Sequence, residues 1–125
     1  MKNAISTSMA PKAIGPYSQA ILSNGTLYIS GQLPIDALNG AFPGEDVTSQ
    51  TNQAIKNLAS ILESAGGSLK DVVKTTVFLA DMKDFEMMNA VYSSFFKAPF
   101  PARSTIEVSK LPKDARVEIE AIAVI

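Results

Sequence analysis

The 125-residue sequence lacks both cysteine and histidine. Without them the chain has no Ser-His or Cys-His nucleophilic system, no Cys/His zinc site and no imidazole for acid–base chemistry near neutral pH. The groups left for chemistry are carboxylates, Lys, Arg, Tyr, the Ser and Thr hydroxyls and the backbone. The absence of cysteine also leaves no disulfide framework, which suits a reducing compartment and predicts a cytoplasmic location.

Several short ligand-binding motifs are missing as well. There is no GxGxxG or GxxxxGK[ST] motif for a nucleotide and no Asp-rich calcium loop, although a carboxylate site for a hard metal stays open. We therefore predict no cofactor and no metal. The net charge of −1 comes without any run of Lys or Arg, so nucleic acid is disfavoured as the main ligand. No apolar stretch has the length of a signal peptide or a transmembrane helix, which predicts no membrane partner.

The composition that is present fits a single domain over residues 1–125. The hydrophobic fraction of 46% is ordinary for a globular protein, whereas a charged fraction of 18% is low. Together with a mean hydropathy of +0.14, this predicts a surface with much apolar area. Such a surface suits a buried subunit interface, and a well-packed monomer is the alternative.

Strand patterns come first along the chain. Residues 17–23 and 26–33 are strand-like and flank Asn24-Gly25, a strong signal for a two-residue hairpin turn. Gly31 interrupts the second strand. An interior strand glycine marks either a bulge or the close approach of another group, or else a simple notch in the packing. The sequence favours neither interpretation.

Two helices and three further strands follow. Apolar residues recur at helical spacing over 47–65, ahead of the Gly66-Gly67 stop, and again over 82–97, after a potential cap at Asp81. Residues 71–80 are predicted to form a strand between the helices. Its alternation places one set of residues opposite another: Val73, Thr75, Val77 and Leu79 opposite Lys74, Thr76, Phe78 and Ala80. Two more strands, 104–109 and 116–125, are predicted to close the chain as a hairpin.

Counting a short N-terminal strand, the predicted order β-β-β-α-β-α-β-β indicates an α+β fold with a mostly antiparallel sheet and both helices on one face. The other face carries Ile122 and Val124 beside Glu118 and Glu120, so it is neither fully polar nor fully apolar. We expect neighbouring subunits of a cyclic assembly to cover it.

Arg103 is the main candidate for ligand binding. It follows the rigid turn Phe100-Pro101-Ala102 and opens an apolar strand, whereas Arg116 starts a strand beside a charged turn and is interpreted as a solvated surface residue. A guanidinium group cannot be neutralised, so burial of Arg103 demands an anion, and a carboxylate matches its parallel N–H donors. That anion is either a substrate carboxylate or, slightly favoured by spacing alone, a glutamate of the chain. The internal candidates are Glu107, Glu118 and Glu120.

Other polar residues with a possible role are spread along the chain. Glu118 and Glu120 share one face of the last strand, where mutual repulsion and partial burial tend to raise a pKa and suit one of them to accept a proton or position water. A solvent-facing charged strand is the alternative. Tyr17 follows a Gly-Pro turn that fixes its direction, so it either covers a ligand or packs in the core. Ser30 and Asn89 are weaker candidates.

Seven segments, spread over nearly the whole chain, make the sequence resemble the RidA family, also called YjgF. They are AIGPYSQA at 13–20, ISGQLP at 29–34, VVKTTVFL at 72–79, NAVY at 89–92, FPARS at 100–104, LPKD at 111–114 and VEIEAIA at 117–123. The resemblance implies a chorismate-mutase-like α+β fold and a homotrimer with three clefts between subunits. It also implies hydrolysis of reactive enamine and imine products of amino-acid dehydratases to 2-oxo acids and ammonia.

The resemblance also implies roles for individual residues. By position, Arg103 looks like the family arginine that binds the substrate carboxylate, and Glu118 looks like the glutamate that holds the attacking water. The pocket residues that it implies are Tyr17, Ser30, Gly31, Asn89 and Thr105. Many members carry cysteine where this chain has Thr105, so thiol-dependent behaviour is not expected here. The backbone N–H at position 105 survives the change.

Three functions are weighed against each other. The first is an enamine/imine deaminase in which Arg103 and Glu118 act together; it needs orientation and one placed water rather than strong acid–base groups, which suits a chain without His or Cys. The alternative is a non-catalytic regulatory protein that binds small carboxylates in the same pocket between subunits. A ribonuclease activity, ascribed to some relatives, is disfavoured by the acidic pI of about 5.3 and the missing basic stripe.

Overall fold

The computed structural model describes residues 1–125, and its elements follow the predicted order. The strands and helices are β1 (Asn3–Ile5), β2 (Ala20–Ser23), β3 (Thr26–Gln32), α1 (Val47–Ser64), β4 (Val72–Leu79), α2 (Phe85–Phe95), β5 (Ala102–Glu107) and β6 (Val117–Val124). Short 3₁₀ turns at 69–71, 82–84 and 112–114 lead into β4, α2 and β6. Asp46 begins α1 by accepting a hydrogen bond from the Ser49 N–H, as a good N-cap does.

The six strands form one mixed sheet in the order β1-β2-β3-β6-β4-β5. All neighbouring strands are antiparallel except β4 and β5, which are parallel. Both helices pack on one face, so the α+β prediction is confirmed. The apolar stripe of α1 and the inward positions of the strands meet in a single core. Its fully buried members include Leu27, Ile55, Leu58, Ile61, Leu79 and Ile119.

The predicted hairpin of the last two strands is wrong. β6 pairs with β3 on one side and with β4 on the other, and β4 separates it from β5. Four alternate residues of β6, from Val117 to Ala123, are buried, whereas β5 has no buried residue. Strand β6 therefore takes the central place beneath the helices, and β5 takes the edge. The intervening segment makes a 3₁₀ turn in which Lys113 and Asp114 adopt positive φ, and it carries the chain across β4.

Strand β4 departs from the predicted alternation at its start. Val73 is exposed and Val72 is buried, because the register with β6 shifts between Val72 and Lys74. From Thr75 onward the alternation is as predicted, with Thr75, Val77 and Leu79 buried. The irregularity turns one apolar side chain toward the face that the helices do not cover.

The helix-free face of the sheet carries apolar side chains in the open. Tyr28, Ile106 and Val124 are about half exposed on it, beside the carboxylates of β6. This is the mixed character that the sequence predicts for that face. Neither helix combines the length and apolarity that crossing a membrane requires.

Candidate functional site

Arg103 lies on the edge strand β5 and points to the helix side of the sheet. Its register partner on β4 is Thr75, which is buried, so both side chains project toward α2. The guanidinium carbon lies 4.8 Å from the centre of the Tyr92 ring and 5.6 Å from that of the Phe85 ring. The cation is therefore held against two aromatic faces of α2.

No carboxylate of the chain neutralises Arg103. The ion pairs of the structure are Lys110 with Asp114 and Arg116 with Asp84. The internal salt bridge that spacing alone favours is therefore not formed, and Glu107 instead accepts a hydrogen bond from the Met82 N–H at 2.8 Å. A half-buried guanidinium group without an internal anion has the capacity to bind an external one.

A cavity of about 390 Å³ opens beside Arg103. Its lining residues are Asn89, Tyr92, Ser93, Phe100, Pro101 and Arg103. The amide of Asn89 adds a hydrogen-bonding group from α2, and Phe100 adds an apolar wall. The structure thus brings together Arg103 and Asn89, two of the predicted site residues.

Thr105 follows Arg103 on the same face of β5, two residues further along. Its hydroxyl oxygen is buried and has no hydrogen-bond partner within the chain. The Val108 N–H donates to the Leu79 carbonyl of β4. Successive N–H groups of a strand point to opposite sides, so the N–H groups of residues 103 and 105 point away from β4, to the free edge of the sheet. An anion at this edge therefore meets backbone donors as well as the guanidinium group.

A second group of predicted residues surrounds Glu118 on β6. The Glu118 carboxylate lies so close to Gly31 that a Cβ atom at position 31 would overlap its Oε2 and lie 2.9 Å from its Cδ. The register of β3 with β6 also shifts between Ile29 and Gln32. Gly31 therefore marks both a bulge and a close approach, which excludes the packing-notch interpretation.

The loop that carries Tyr17 is tied to the same place. The Ser30 hydroxyl donates to the Ser18 carbonyl at 2.6 Å, and the Ser30 N–H donates to the Gln19 carbonyl at 2.9 Å. Tyr17 itself is 52% exposed, so the core-packing interpretation is wrong for it. Ser30 thus ties the backbone of the loop that carries the exposed Tyr17 ring to β3, at the residue before Gly31.

Glu118 is the carboxylate with an altered acidity in this region. Burial raises the pKa of Glu118, and the neighbouring negative charge of Glu120 raises it further. Glu120 itself is exposed. A carboxylate with a raised pKa is a better proton acceptor than an ordinary glutamate while it is ionised.

Arg103 and Glu118 lie on opposite faces of the sheet within one chain. Glu118 is the register partner of Phe78, whereas Arg103 is the register partner of Thr75. Phe78 and Thr75 are an odd number of residues apart on β4, so their side chains point to opposite faces. One chain alone therefore presents two separate groups of predicted site residues, one around Arg103 and one around Glu118.

Sequence reasoning missed the aromatic support of Arg103. The apolar spacing over 82–97 includes Phe85 and Tyr92 as core positions. Tyr92 is buried and Phe85 is partly buried against the core, so this interpretation is correct but incomplete. Their seven-residue spacing places both rings on one helix face, and that signal would have found the pair had the position of β5 been known.

Arg116 is half exposed and pairs with Asp84 at 3.3 Å, so it has a surface role. No group of three His, Cys, Asp or Glu side chains is arranged to hold a metal ion.

Replacing Gly31 by alanine is expected to lower any activity that depends on Glu118 at least about tenfold, because the added Cβ must displace the carboxylate. The matched control is Gly40→Ala, at a glycine with a φ of 72° and no atom within 4 Å of the added Cβ. Its backbone strain lowers stability without touching Glu118. Steady-state assays and thermal unfolding of both variants check this, and equal activities would contradict it.

Comparison with known proteins gives a consistent answer. The model of the endoribonuclease L-PSP family matches residues 7–125. The chain is 48% identical over 124 residues to the human 2-iminobutanoate/2-iminopropanoate deaminase, covering 99% of this chain and 90% of the human one. It is 48% identical to a solved Rid-family protein of unknown function from Yersinia pestis, with a TM-score of 0.97 and full coverage of both chains. E. coli TdcF with bound serine is 42% identical, with a TM-score of 0.94 and 98% of each chain covered.

Proposed function

The chain belongs to the endoribonuclease L-PSP family, which includes the RidA proteins, and from that premise we propose that it is an enamine/imine deaminase. Its substrates are 2-aminoacrylate- and 2-iminobutanoate-type intermediates, and its products are 2-oxo acids and ammonia. The name of the human relative supports this reaction class. We place the reaction in the cytoplasm, since a chain without cysteine gains nothing from an oxidising compartment.

The observation that carries the proposal is the guanidinium group of Arg103, which has no acidic partner in the chain and borders a cavity of about 390 Å³. A 2-imino acid has a carboxylate next to its reactive carbon. A bidentate contact with Arg103, supported by the edge N–H of Thr105, fixes that carbon relative to the protein. The serine held by TdcF also carries a carboxylate, which is consistent with this assignment.

Glu118 is assigned to the water. A protonated imine is already electrophilic, so the enzyme has to place one water and accept one proton from it. Glu118 takes that proton as the water oxygen bonds to the imine carbon, and returns it to the nitrogen of the resulting carbinolamine. As the C–N bond breaks and ammonia leaves, the hydroxyl oxygen forms the C=O bond of the 2-oxo acid and its proton passes to Glu118, which releases it to solvent. The raised pKa of Glu118 suits the first of these steps, because the ionised group accepts a proton more readily than an ordinary glutamate does.

The working assembly we propose is a homotrimer with a site at each of its three interfaces. One copy supplies Arg103, Asn89 and Thr105, and the next supplies Glu118 with its surrounding residues. Those surrounding residues are Tyr17, Ser30 and Gly31. The opposite orientation of Arg103 and Glu118 in one chain supports this arrangement, as do the unpaired edge of β5 and the exposed apolar residues of the helix-free face. Closure of two copies over the substrate also excludes bulk water.

The endoribonuclease description of the family is not carried over to this chain. RNA binding relies on neutralising several phosphates, and the sequence has 11 basic against 12 acidic residues with no basic run. Arg103 lies against aromatic rings and not among other cations. We therefore assign the site to a small monoanionic carboxylate.

The test of the proposed function is a coupled assay. Threonine dehydratase releases 2-iminobutanoate, which also hydrolyses spontaneously, and the purified protein is expected to accelerate formation of 2-oxobutanoate at low dehydratase concentration. Heat-denatured protein serves as the control. Unchanged rates together with measurable binding of 2-oxobutanoate would favour the non-catalytic carboxylate-binding alternative. Unchanged rates without binding would remove both functions.

A further inference from the structure

We propose that Tyr92 is a positioning residue for Arg103: its ring, anchored by Thr75, sets the plane of the guanidinium group so that the N–H donors face the cavity. The inference rests on the proposed function, because it assigns Arg103 to carboxylate binding. It goes beyond it by naming the residues that hold the arginine ready before substrate arrives.

Tyr92 provides the surface on which the cation lies. Its ring centre is 4.8 Å from the guanidinium carbon, closer than the 5.6 Å of Phe85. Contact of a guanidinium group with an aromatic face uses the flat side of the cation and leaves its N–H groups free at the edge. Tyr92 and Arg103 both line the same cavity, so those free donors lie where a carboxylate enters.

Thr75 fixes the ring. The hydroxyl groups of Tyr92 and Thr75 are 2.7 Å apart in a buried hydrogen bond, and Tyr92 is 4% exposed. Thr75 is also the register partner of Arg103 on the neighbouring strand. Strand β4 therefore positions the Tyr92 ring through Thr75, and the neighbouring strand β5 positions the Arg103 cation against that ring. Phe96 also packs against Tyr92, with ring centres 4.5 Å apart.

The arrangement replaces an acidic partner that the site lacks. A long arginine side chain loses much rotamer freedom when it binds, and preorganisation reduces that loss. A carboxylate partner would also hold Arg103 but would compete with the substrate for the same donors. An aromatic face orients the cation without occupying those donors. The phenol remains neutral, because the pKa of Tyr92 is raised above its ordinary value. Burial is the main cause and outweighs the Thr75 hydrogen bond and the Arg103 charge, which lower the pKa.

Three variants test this. Tyr92→Leu removes the ring and is expected to raise KM about five- to tenfold with kcat within about twofold, in line with the strength of a partly desolvated cation–π contact. Tyr92→Phe and Thr75→Val each keep a filled core but break the hydroxyl pair, and each is expected to raise KM about threefold. Because both remove the same hydrogen bond, the double variant should show no more than the larger single effect. Ile61→Val, a core change on the other helix, should leave KM unchanged.

A second readout is independent of catalysis. Nitrogen-15 relaxation of the Arg103 side chain is expected to show a rigid guanidinium group in the wild type and a more mobile one in Tyr92→Phe and Thr75→Val, even if Tyr92→Leu does not fold. Binding of 2-oxobutanoate is measured on the same samples. A wild-type protein that neither binds nor turns over would refute the proposed function. An active wild type whose hydroxyl variants keep KM and a rigid Arg103 would overturn only the role of Tyr92.

Discussion

Substitution of Arg103 by alanine is expected to lower kcat/KM for 2-iminobutanoate about 100- to 10,000-fold in the coupled assay. Two charge-assisted hydrogen bonds to the substrate carboxylate, each contributing about 1.5–3 kcal/mol, account for this range. The loss should be accompanied by loss of 2-oxobutanoate binding. Arg103→Lys should recover only a fraction of the activity, because a lysine offers a point charge in place of the planar pair of donors.

The matched control for Arg103 is Arg116→Ala. It removes the only other arginine, a half-exposed residue that pairs with Asp84 at 3.3 Å. Such a surface pair contributes about 0–1 kcal/mol to stability, so we expect a slightly lower melting temperature and an unchanged kcat/KM. Equal activity losses in the two variants would show that the effect follows from charge or stability, and would contradict a specific role for Arg103.

Glu118→Gln is expected to lower kcat about 100-fold or more with a small effect on KM, since it removes the group that accepts the water proton but leaves carboxylate binding intact. The neighbouring Glu120→Gln is the control of equal charge change. Glu120 is exposed and has no assigned contact with substrate, so its variant should remain active near neutral pH.

The two glutamates also give a prediction about pH. The proposed mechanism requires ionised Glu118, so the acid limb of the pH–rate profile should lie above the ordinary glutamate value of about 4.3. Burial is the main cause of this raised pKa, and Glu120 adds to it. Glu120→Gln removes the repulsion and should therefore move the acid limb to lower pH. An acid limb that does not move would contradict the assignment of the limb to Glu118.

Stability should respond in the opposite sense to activity. Folding raises the pKa of the Glu118 carboxyl group, so the native state is destabilised once the group is ionised. The loss in the free energy of unfolding is absent at pH values below the pKa of the group in the unfolded chain, and it is complete at pH values above its pKa in the folded chain. Glu118→Gln should thus melt at the same or a slightly higher temperature than wild type at pH 8, with the difference vanishing toward pH 4. The effect is small because Glu118 is only half buried.

Much of the fold follows from local patterns that the sequence displays openly. The Asn24-Gly25 turn, the apolar spacing of α1 and the Gly66-Gly67 stop each concern neighbouring residues, and all appear in the structure. The pairing of the last strands does not depend on neighbours alone. Proximity in sequence suggests a hairpin, whereas burial of one whole face of β6 is better satisfied between β3 and β4.

The candidate site likewise depends on contacts between residues that are distant in sequence. The approach of Glu118 to Gly31 joins two strands distant in sequence, and a glycine inside a strand only hints at it. The support of Arg103 by Tyr92 depends on the parallel pairing of β4 with β5, which no local signal announces. The absence of an acidic partner for Arg103 is likewise a property of the folded chain, since three glutamates are available to it by spacing. Candidate residues are therefore more accessible from the sequence than the way in which they meet.

The most direct test of the account is restoration of activity between two inactive variants. Arg103→Ala and Glu118→Gln chains with different tags are co-expressed, and assemblies that contain both are purified on the two tags. If each site takes Arg103 from one copy and Glu118 from the next, every mixed trimer has about one site in three with both groups, and imine hydrolysis returns to about a third of the wild-type rate. Mixed assemblies no more active than either parent would contradict a site shared between copies of the chain.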